Sequence, residues 1–283
     1  MQMQNAIERT NADRRTIDSF GMEWSAFDQA PLSQDEADRI FQSYFGIFPF
    51  DMLAPEPKGF DCGCGSGRWA KFVAPKVKFL ACVDPSEAAL AVAQRNLSGL
   101  DNLSFHCASA NDMPLADSSQ DFGYSLGVLH HIPDTELAMK GCVSKLKSGA
   151  YFLVYLYYRF DNRPLWFRAL WRLSDPVRRS ISRLPFRLKK IVTDGIAYTV
   201  YWPLARSAKA FEAAGLDARH WPLHAYRNLS MYTLRTDALD RFGTRLEQRF
   251  SRQEIEDMMR RCGLADIKFA DGPPYWVAVG RKA

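Results

Sequence analysis

The stretch Phe60-Asp61-Cys62-Gly63-Cys64-Gly65-Ser66-Gly67 leaves this chain few architectures. Three glycines alternate with small residues, and an acid stands two positions before the first. Only glycine lets a backbone turn this tightly and lie against a ligand with no Cβ in the way. The loop runs into Arg68-Trp69-Ala70-Lys71-Phe72-Val73, which reads as the opening of a helix. A glycine turn that opens a helix presents free N–H groups and a positive dipole end, a place for a nucleotide-like or carboxylate-bearing ligand. Leu80-Ala81-Cys82-Val83 then ends at Asp84, an acid at the tip of a second strand, placed to receive ribose hydroxyls. Loop and acid alone also fit a plain structural turn.

The rest of the chain supplies the alternation of strands and helices that a parallel sheet requires. A short strand near Phe60-Asp61 is followed by a helix capped by Ser86 and running through Asn96. Strands are expected at 103–107 and 121–126. A helix opens at Asp134 and ends near Lys147, with Gly149 as its stop. Residues 150–156 are wholly apolar, as a central strand should be. Ser251-Arg252-Gln253-Glu254 is a capping box whose helix ends at Cys262-Gly263. Strands at 266–269 and 275–280 close the sheet.

A third motif, Gly127-Val128-Leu129-His130-His131-Ile132-Pro133-Asp134, follows the fourth strand. Together with the glycine loop and Val83-Asp84-Pro85-Ser86, it resembles the class I S-adenosylmethionine (SAM)-dependent methyltransferases, in the branch of the ubiquinone/menaquinone enzymes. The resemblance covers residues 58–158 and, loosely, the last thirty. It implies a Rossmann-like α/β fold: a mostly parallel seven-stranded sheet with helices on both faces. An N-terminal cap (1–57) would precede the SAM-binding core (58–158). An inserted helical lid and acceptor region (159–250) would follow strand five, and 251–283 would complete the sheet. In such a protein Gly63, Cys64, Gly65 and Gly67 line the methionine part of SAM, and Asp61 fixes the loop or meets the SAM ammonium. Asp84 takes the ribose hydroxyls, Pro85 or Ser86 lies on the adenine, and Leu126 offers a backbone carbonyl. One departure stands out. Relatives place an acid ahead of the Leu-Pro turn to bind the adenine amino group, whereas here the aligned residue is Ser109. Ser109, Ala110, Asn111 or backbone would take over.

Methyl transfer needs nucleophile, methyl and sulfur held in line and water excluded; it needs no metal and no covalent enzyme nucleophile. A general base is required only for a hydroxyl or protonated amine. His131 is read either as that base or as a structural histidine at the strand-to-helix turn. His224, in the irregular stretch 220–228, is the second candidate. Trp24 is expected on the cofactor or acceptor, with Phe27 packing the cap; Tyr226, Arg227, Asn228 and Arg241 are expected to contact the acceptor. Ser33-Gln34-Asp35-Glu36 reads as a capping box for a helix to about Tyr44.

Residues 159–206 carry eleven Lys/Arg against three Asp, a local +8 in a chain of net +5. Trp166, Leu170 and Leu173 recur there at helical spacing, as do Phe167 and Trp171. A basic, aromatic lid suits an anionic or flat acceptor or a peripheral membrane contact; its plainer reading is a solvated helical face. The acceptor expected is a small or medium polar molecule, such as a sugar, natural product or metabolite, methylated at oxygen or nitrogen. The alternatives are a lipid or quinone at a membrane surface, an NAD(P)-dependent oxidoreductase, which Gly65-Ser66-Gly67-Arg68-Trp69-Ala70 also fits, and a catalytically silent SAM-binding module. No RNA-binding module accompanies the basic block, so nucleic acid is not expected. Six scattered cysteines read as reduced thiols of a cytoplasmic protein, and Cys62 and Cys64 lack a second metal-ligand pair. The start of the chain has no apolar core of a signal peptide, and no apolar run reaches the roughly eighteen residues of a membrane span. Oligomeric state is left open.

Overall fold

The computed structural model describes residues 11–283. Residues 1–15 are polar and read from the sequence as a frayed start; 1–10 lie outside the described residues, and from Arg14 the chain is helical. In order, the elements are α1 (Arg14–Ala26), α2 (Gln34–Phe45), β1 (Lys58–Cys62), the single turn α3 (Ala70–Val73), β2 (Phe79–Asp84), α4 (Glu87–Asn96), β3 (Leu103–Cys107), β4 (Gln120–Leu126), α5 (Thr135–Lys145) and β5 (Leu146–Tyr155). Then come α6 (Leu165–Ile181), α7 (Phe186–Ile196), α8 (Trp202–Ala213), α9 (Met231–Gly243), α10 (Arg252–Arg261), β6 (Leu264–Phe269) and β7 (Val277–Lys282). Two compact units result. The first takes the chain up to Gln29 with Arg39–Arg159 and Leu246–Ala283; the second takes Ala30–Asp38 and Phe160–Arg245.

The first unit holds the expected seven-stranded sheet, ordered β3-β2-β1-β4-β5-β7-β6. The first five strands are parallel, and β7 runs antiparallel to both neighbours. Strand alternation divides the core between two faces. Ala81, Val83, Phe152 and Val154 pack with α5 and α10, whereas Leu80, Cys82 and Leu153 pack with α2, α3 and α4. At the sheet centre, register and volume agree. Gly59 faces Phe122 and Phe60 faces Gly123, and each phenyl ring fills the space that the opposite glycine leaves empty.

Some expectations shift. The helix expected to run to Lys147 stops at Lys145, because Leu146 already pairs with Gln120; β5 therefore includes Gly149, at φ +79°. Cys107 is exposed at the end of β3. The capping box at Ser251 is complete. The one at Ser33 is half formed. Ser33 Oγ receives the Glu36 N–H, but the Glu36 carboxylate turns away to accept from Ser230 N–H (2.9 Å) and the Thr233 hydroxyl (2.7 Å).

In the second unit, Ala197, Tyr201, Ala205, Leu234 and Ala238 form a small core. Helix α9, absent from the sequence reading, is capped by Ser230 and packs on both α6 and α7. Its C-terminal carbonyls are met by two buried cations. Arg178 of α6 donates to Thr244 O (2.9 Å) and Lys189 of α7 to Gly243 O (2.7 Å). Cations at this end also complement the helix dipole.

Candidate active site

The site is assembled where β1, β2 and β4 end. The loop after β1 bends through Gly63, Gly65 and Gly67, all at positive φ. Asp84, at the tip of β2, clamps it: one carboxylate oxygen accepts the Gly65 N–H and the other the Ser86 N–H, both at 2.9 Å. Each oxygen keeps a lone pair for another donor. Burial raises the Asp84 pKa to about 6, and the two backbone donors pull against it.

Asp61, at the end of β1, is wholly buried. Neither carboxylate oxygen has a partner in hydrogen-bonding geometry. Burial pushes its pKa up to about 8; the nearby Tyr124 hydroxyl lowers it and Asp84 adds a smaller upward push. Ser66 Oγ is likewise buried without a partner. Beyond β4, Gly127 sits at φ +79° with nothing within 4 Å of where a Cβ would stand. Unmatched acceptors, an unmatched hydroxyl and open space beside bare backbone thus converge on one place. Buried polar groups are nearly always paired, so such a set marks a place where a ligand supplies the missing partners. SAM fits it: the ammonium matches Asp61, the ribose diol matches Asp84, and Gly127 leaves room beside Leu126.

Other expected contacts resolve more finely. Cys64 turns its thiol into the core with Cys82, so only its backbone is available to a ligand. Ser86 caps α4 through the Ala89 N–H, and Pro85 O takes a contact from the Cys107 thiol (3.6 Å). Asn111 is committed: its amide oxygen accepts from Asn11 and its NH₂ donates to Leu137 O. Ala110 is buried in the core. Ser109 Oγ donates to Asp112 at 3.0 Å, so an acid does stand beside the position where relatives carry theirs. Asp112, three residues on from Ser109, was passed over in the sequence reading.

Helix α1 lies across the ends of three strands. A Cβ on Gly65 would meet Trp24 Nε1 at 2.8 Å, and one on Gly21 would meet Ser86 Oγ at 2.5 Å. The Phe20 ring lies 5.0 Å from that of His131. Phe20, Gly21 and Trp24 share one helix face by their spacing, and that face touches the loops after β4, β2 and β1. Phe27 is buried, as expected of a packing residue.

His131 is buried in the turn after β4. Its Nδ1 lies 2.7 Å from Leu246 O. A carbonyl only accepts, so Nδ1 carries a proton, and in the neutral ring Nε2 then holds the lone pair. His130 stacks on Tyr157 at 3.9 Å, and burial, His131 and Arg249 hold its pKa well below the ordinary value. The segment 246–250 laces this turn together: Gln248 N–H reaches His130 O, and its side chain donates to Ile132 O at 2.7 Å. Nothing in Leu246-Glu247-Gln248-Arg249-Phe250 announces that role in the sequence.

The remaining candidates belong to the second unit. His224 and Arg227 both bind Glu212, each at 2.6 Å, and Tyr226 lies 6.1 Å from Tyr201, ring to ring. Asn228 is exposed. Arg241 lies apart from them, over the Phe160 ring at 5.9 Å. Arg235 is held by both carboxylate oxygens of Asp194.

Residues 60–154 match the family model described as a methyltransferase domain. This stretch is a class I SAM-dependent methyltransferase domain. Two curated relatives overlap with it. An ajmaline N-methyltransferase of Rauvolfia serpentina is 28% identical over 125 residues, 42% of this chain and 43% of that protein. An uncharacterised protein of Synechococcus sp. is 32% identical over 107 residues, 36% of this chain and 25% of its own. The chain therefore spans less than half the length of either. A chain from the complex between the Haloferax volcanii Trm112 methyltransferase activator and a methyltransferase shares the fold. It is 14% identical, with 93% of this chain and 96% of that chain covered and a TM-score of 0.50. Neither the domain match nor these relatives single out the ubiquinone/menaquinone branch.

Proposed function

We propose that the chain transfers a methyl group from SAM to an oxygen or nitrogen of a small or medium polar acceptor, such as a sugar, natural product or metabolite, with S-adenosylhomocysteine as product. The observation that carries this reading is the wholly buried Asp61 carboxylate behind the glycine loop, with only the Tyr124 hydroxyl near it and no cation among the described residues to balance it. A dinucleotide would bring pyrophosphate to that loop and oppose ionisation of Asp61, whereas a ligand ammonium promotes it, which favours SAM over NAD(P).

When bound, SAM supplies a methyl group already activated on a sulfonium. The chain's part is to hold and to orient. Asp61 and the loop backbone fix the amino-acid end, Asp84 fixes the ribose, and Ser109 with Asp112 receives the adenine amino group. Trp24 and Phe20 exclude water from above. In its neutral form His131 takes the proton of an acceptor hydroxyl as it attacks, or frees the lone pair of an acceptor ammonium before it attacks. Phe20, His131 and Tyr157 give the acceptor side aromatic walls, suited to a flat or apolar part. His224, Tyr226, Arg227, Asn228 and Arg241 remain proposed acceptor contacts of the second unit.

A release assay for S-adenosylhomocysteine across sugars, amines, phenols and quinones tests the reaction. With an acceptor in hand, His131→Ala should lower kcat about tenfold or more while SAM affinity holds. An unchanged kcat would leave His131 a structural residue, and His224→Ala and Arg227→Ala would become the decisive variants. NAD(P) binding in place of SAM by calorimetry would overturn the proposal.

A further inference from the structure

Helices α6 and α7 each carry an apolar stripe on the side that faces out. A helix on a soluble protein ordinarily buries its apolar stripe and shows its charges. Here Arg178 and Lys189 are buried, together with Ile181 and Thr193. The outward face of α6 carries Leu165, Trp166, Leu170, Leu173 and Val177, each at least half exposed and Leu173 76% exposed. At a period of 3.6 residues these five fall within one continuous stripe, with Ala169 and Pro176 between them. Helix α7 repeats the arrangement, with Leu188, Ile191 and Val192 outward and Ile191 68% exposed. Both helices send their buried cation to the same end of α9, to Thr244 O and Gly243 O. Their apolar faces therefore both turn away from α9.

The charges are as ordered as the apolar residues. Arg168, Arg172 and Arg179 lie side by side along one edge of the α6 stripe; Arg183 follows in the connection to α7 and Arg187 in the first turn of α7. An apolar stripe edged by arginine, with tryptophan in it, is the pattern of a helix that lies in the interface of a bilayer with anionic headgroups. The seventeen residues of α6 do not span one: no helix among the described residues is long and apolar enough to cross a membrane.

We propose that the second unit docks this α6–α7 face onto an anionic lipid surface, with the leucine and isoleucine side chains in the acyl boundary and the arginines among the headgroups. The proposal is independent of the methyl acceptor. A second copy of the chain fits the same face poorly, since it would set one strongly basic segment against another.

The test is cosedimentation of the full chain with vesicles of phosphatidylcholine alone and of phosphatidylcholine with phosphatidylglycerol. The expected result is binding at least tenfold tighter to the anionic vesicles, weakening as salt is raised. Leu170→Glu/Leu173→Glu alters only exposed positions and should lower that binding tenfold or more with an unchanged melting temperature. Arg168→Gln/Arg172→Gln should remove much of the salt dependence. A wild type that ignores both vesicles, or a double glutamate variant that binds as well as the wild type, overturns the proposal. Sedimentation velocity showing a dimer that Leu173→Glu dissociates would overturn it in favour of self-association.

Discussion

Asp61 makes the cofactor assignment testable by pH. Its pKa stands near 8 in the free protein against an ordinary 3.8, with burial the main cause. A raised folded-state pKa means that the unfolded chain releases the proton first. The resulting stability is full below about pH 4 and is lost as pH rises towards 8. At pH 7 the cost is about three pH units at about 1.4 kcal/mol each, so roughly 4 kcal/mol before relaxation of the surroundings. Asp61→Asn keeps the shape and cannot ionise. Its melting temperature should exceed that of the wild type at pH 7–8, and the gap should close towards pH 4. Binding runs the other way. A ligand ammonium favours the carboxylate, so SAM must displace a proton from Asp61 between about pH 6 and 8. Wild-type affinity should rise across that window, by at most about tenfold per pH unit, until the ligand's own amino group titrates near 8. Calorimetry in buffers of different ionisation enthalpy should register close to one proton released at pH 6.5. Asp61→Asn should release none and bind more weakly. Equal proton release from both proteins would refute the pairing of Asp61 with the SAM ammonium.

Three further outcomes follow from the same geometry. Asp84→Ala should weaken SAM binding by roughly 1.5–3 kcal/mol, since a charged acceptor for two hydroxyls is lost; unchanged affinity by calorimetry in a folded variant would sink the ribose assignment. Gly65→Val places a branched side chain at φ +53° and against Trp24, so SAM binding should vanish while circular dichroism stays near wild type; retained binding would make the loop a structural turn. Lys189→Met keeps the volume but leaves Gly243 O without its cation, and should lower unfolding stability by about 1–3 kcal/mol in denaturant titrations.

What could be read in the sequence was local. The glycine loop, Asp84, Ser86 as a cap and the complete box at Ser251 declare themselves because the chemistry lies within a few residues of chain. Strand β3 was legible to its ends and β5 as a central strand, because a run buried on both faces is continuously apolar. What stayed hidden depended on contacts far along the chain. Glu36 has the spacing of a capping-box acid, but Ser230 and Thr233 offer it better donors almost two hundred residues away. Leu246 and Gln248 hold the histidine turn through a carbonyl and an amide, groups that nearly every segment possesses.

Helices α6 and α7 fail in a more instructive way. The periodicity of α6 was readable, and Trp166, Leu170 and Leu173 do share a face. Periodicity states only that a helix has two unlike faces; it does not state which face the protein keeps. That choice is made by α9, whose C-terminal carbonyls need donors once the helix end is buried. Arg178 and Lys189 answer that need, and a side chain committed inward rotates its whole helix with it. The apolar stripe is then carried outward, where water cannot be its favoured environment. Two cations placed to satisfy one helix end thus expose two hydrophobic surfaces, and the exposed arginines beside them select the kind of surface that would cover both.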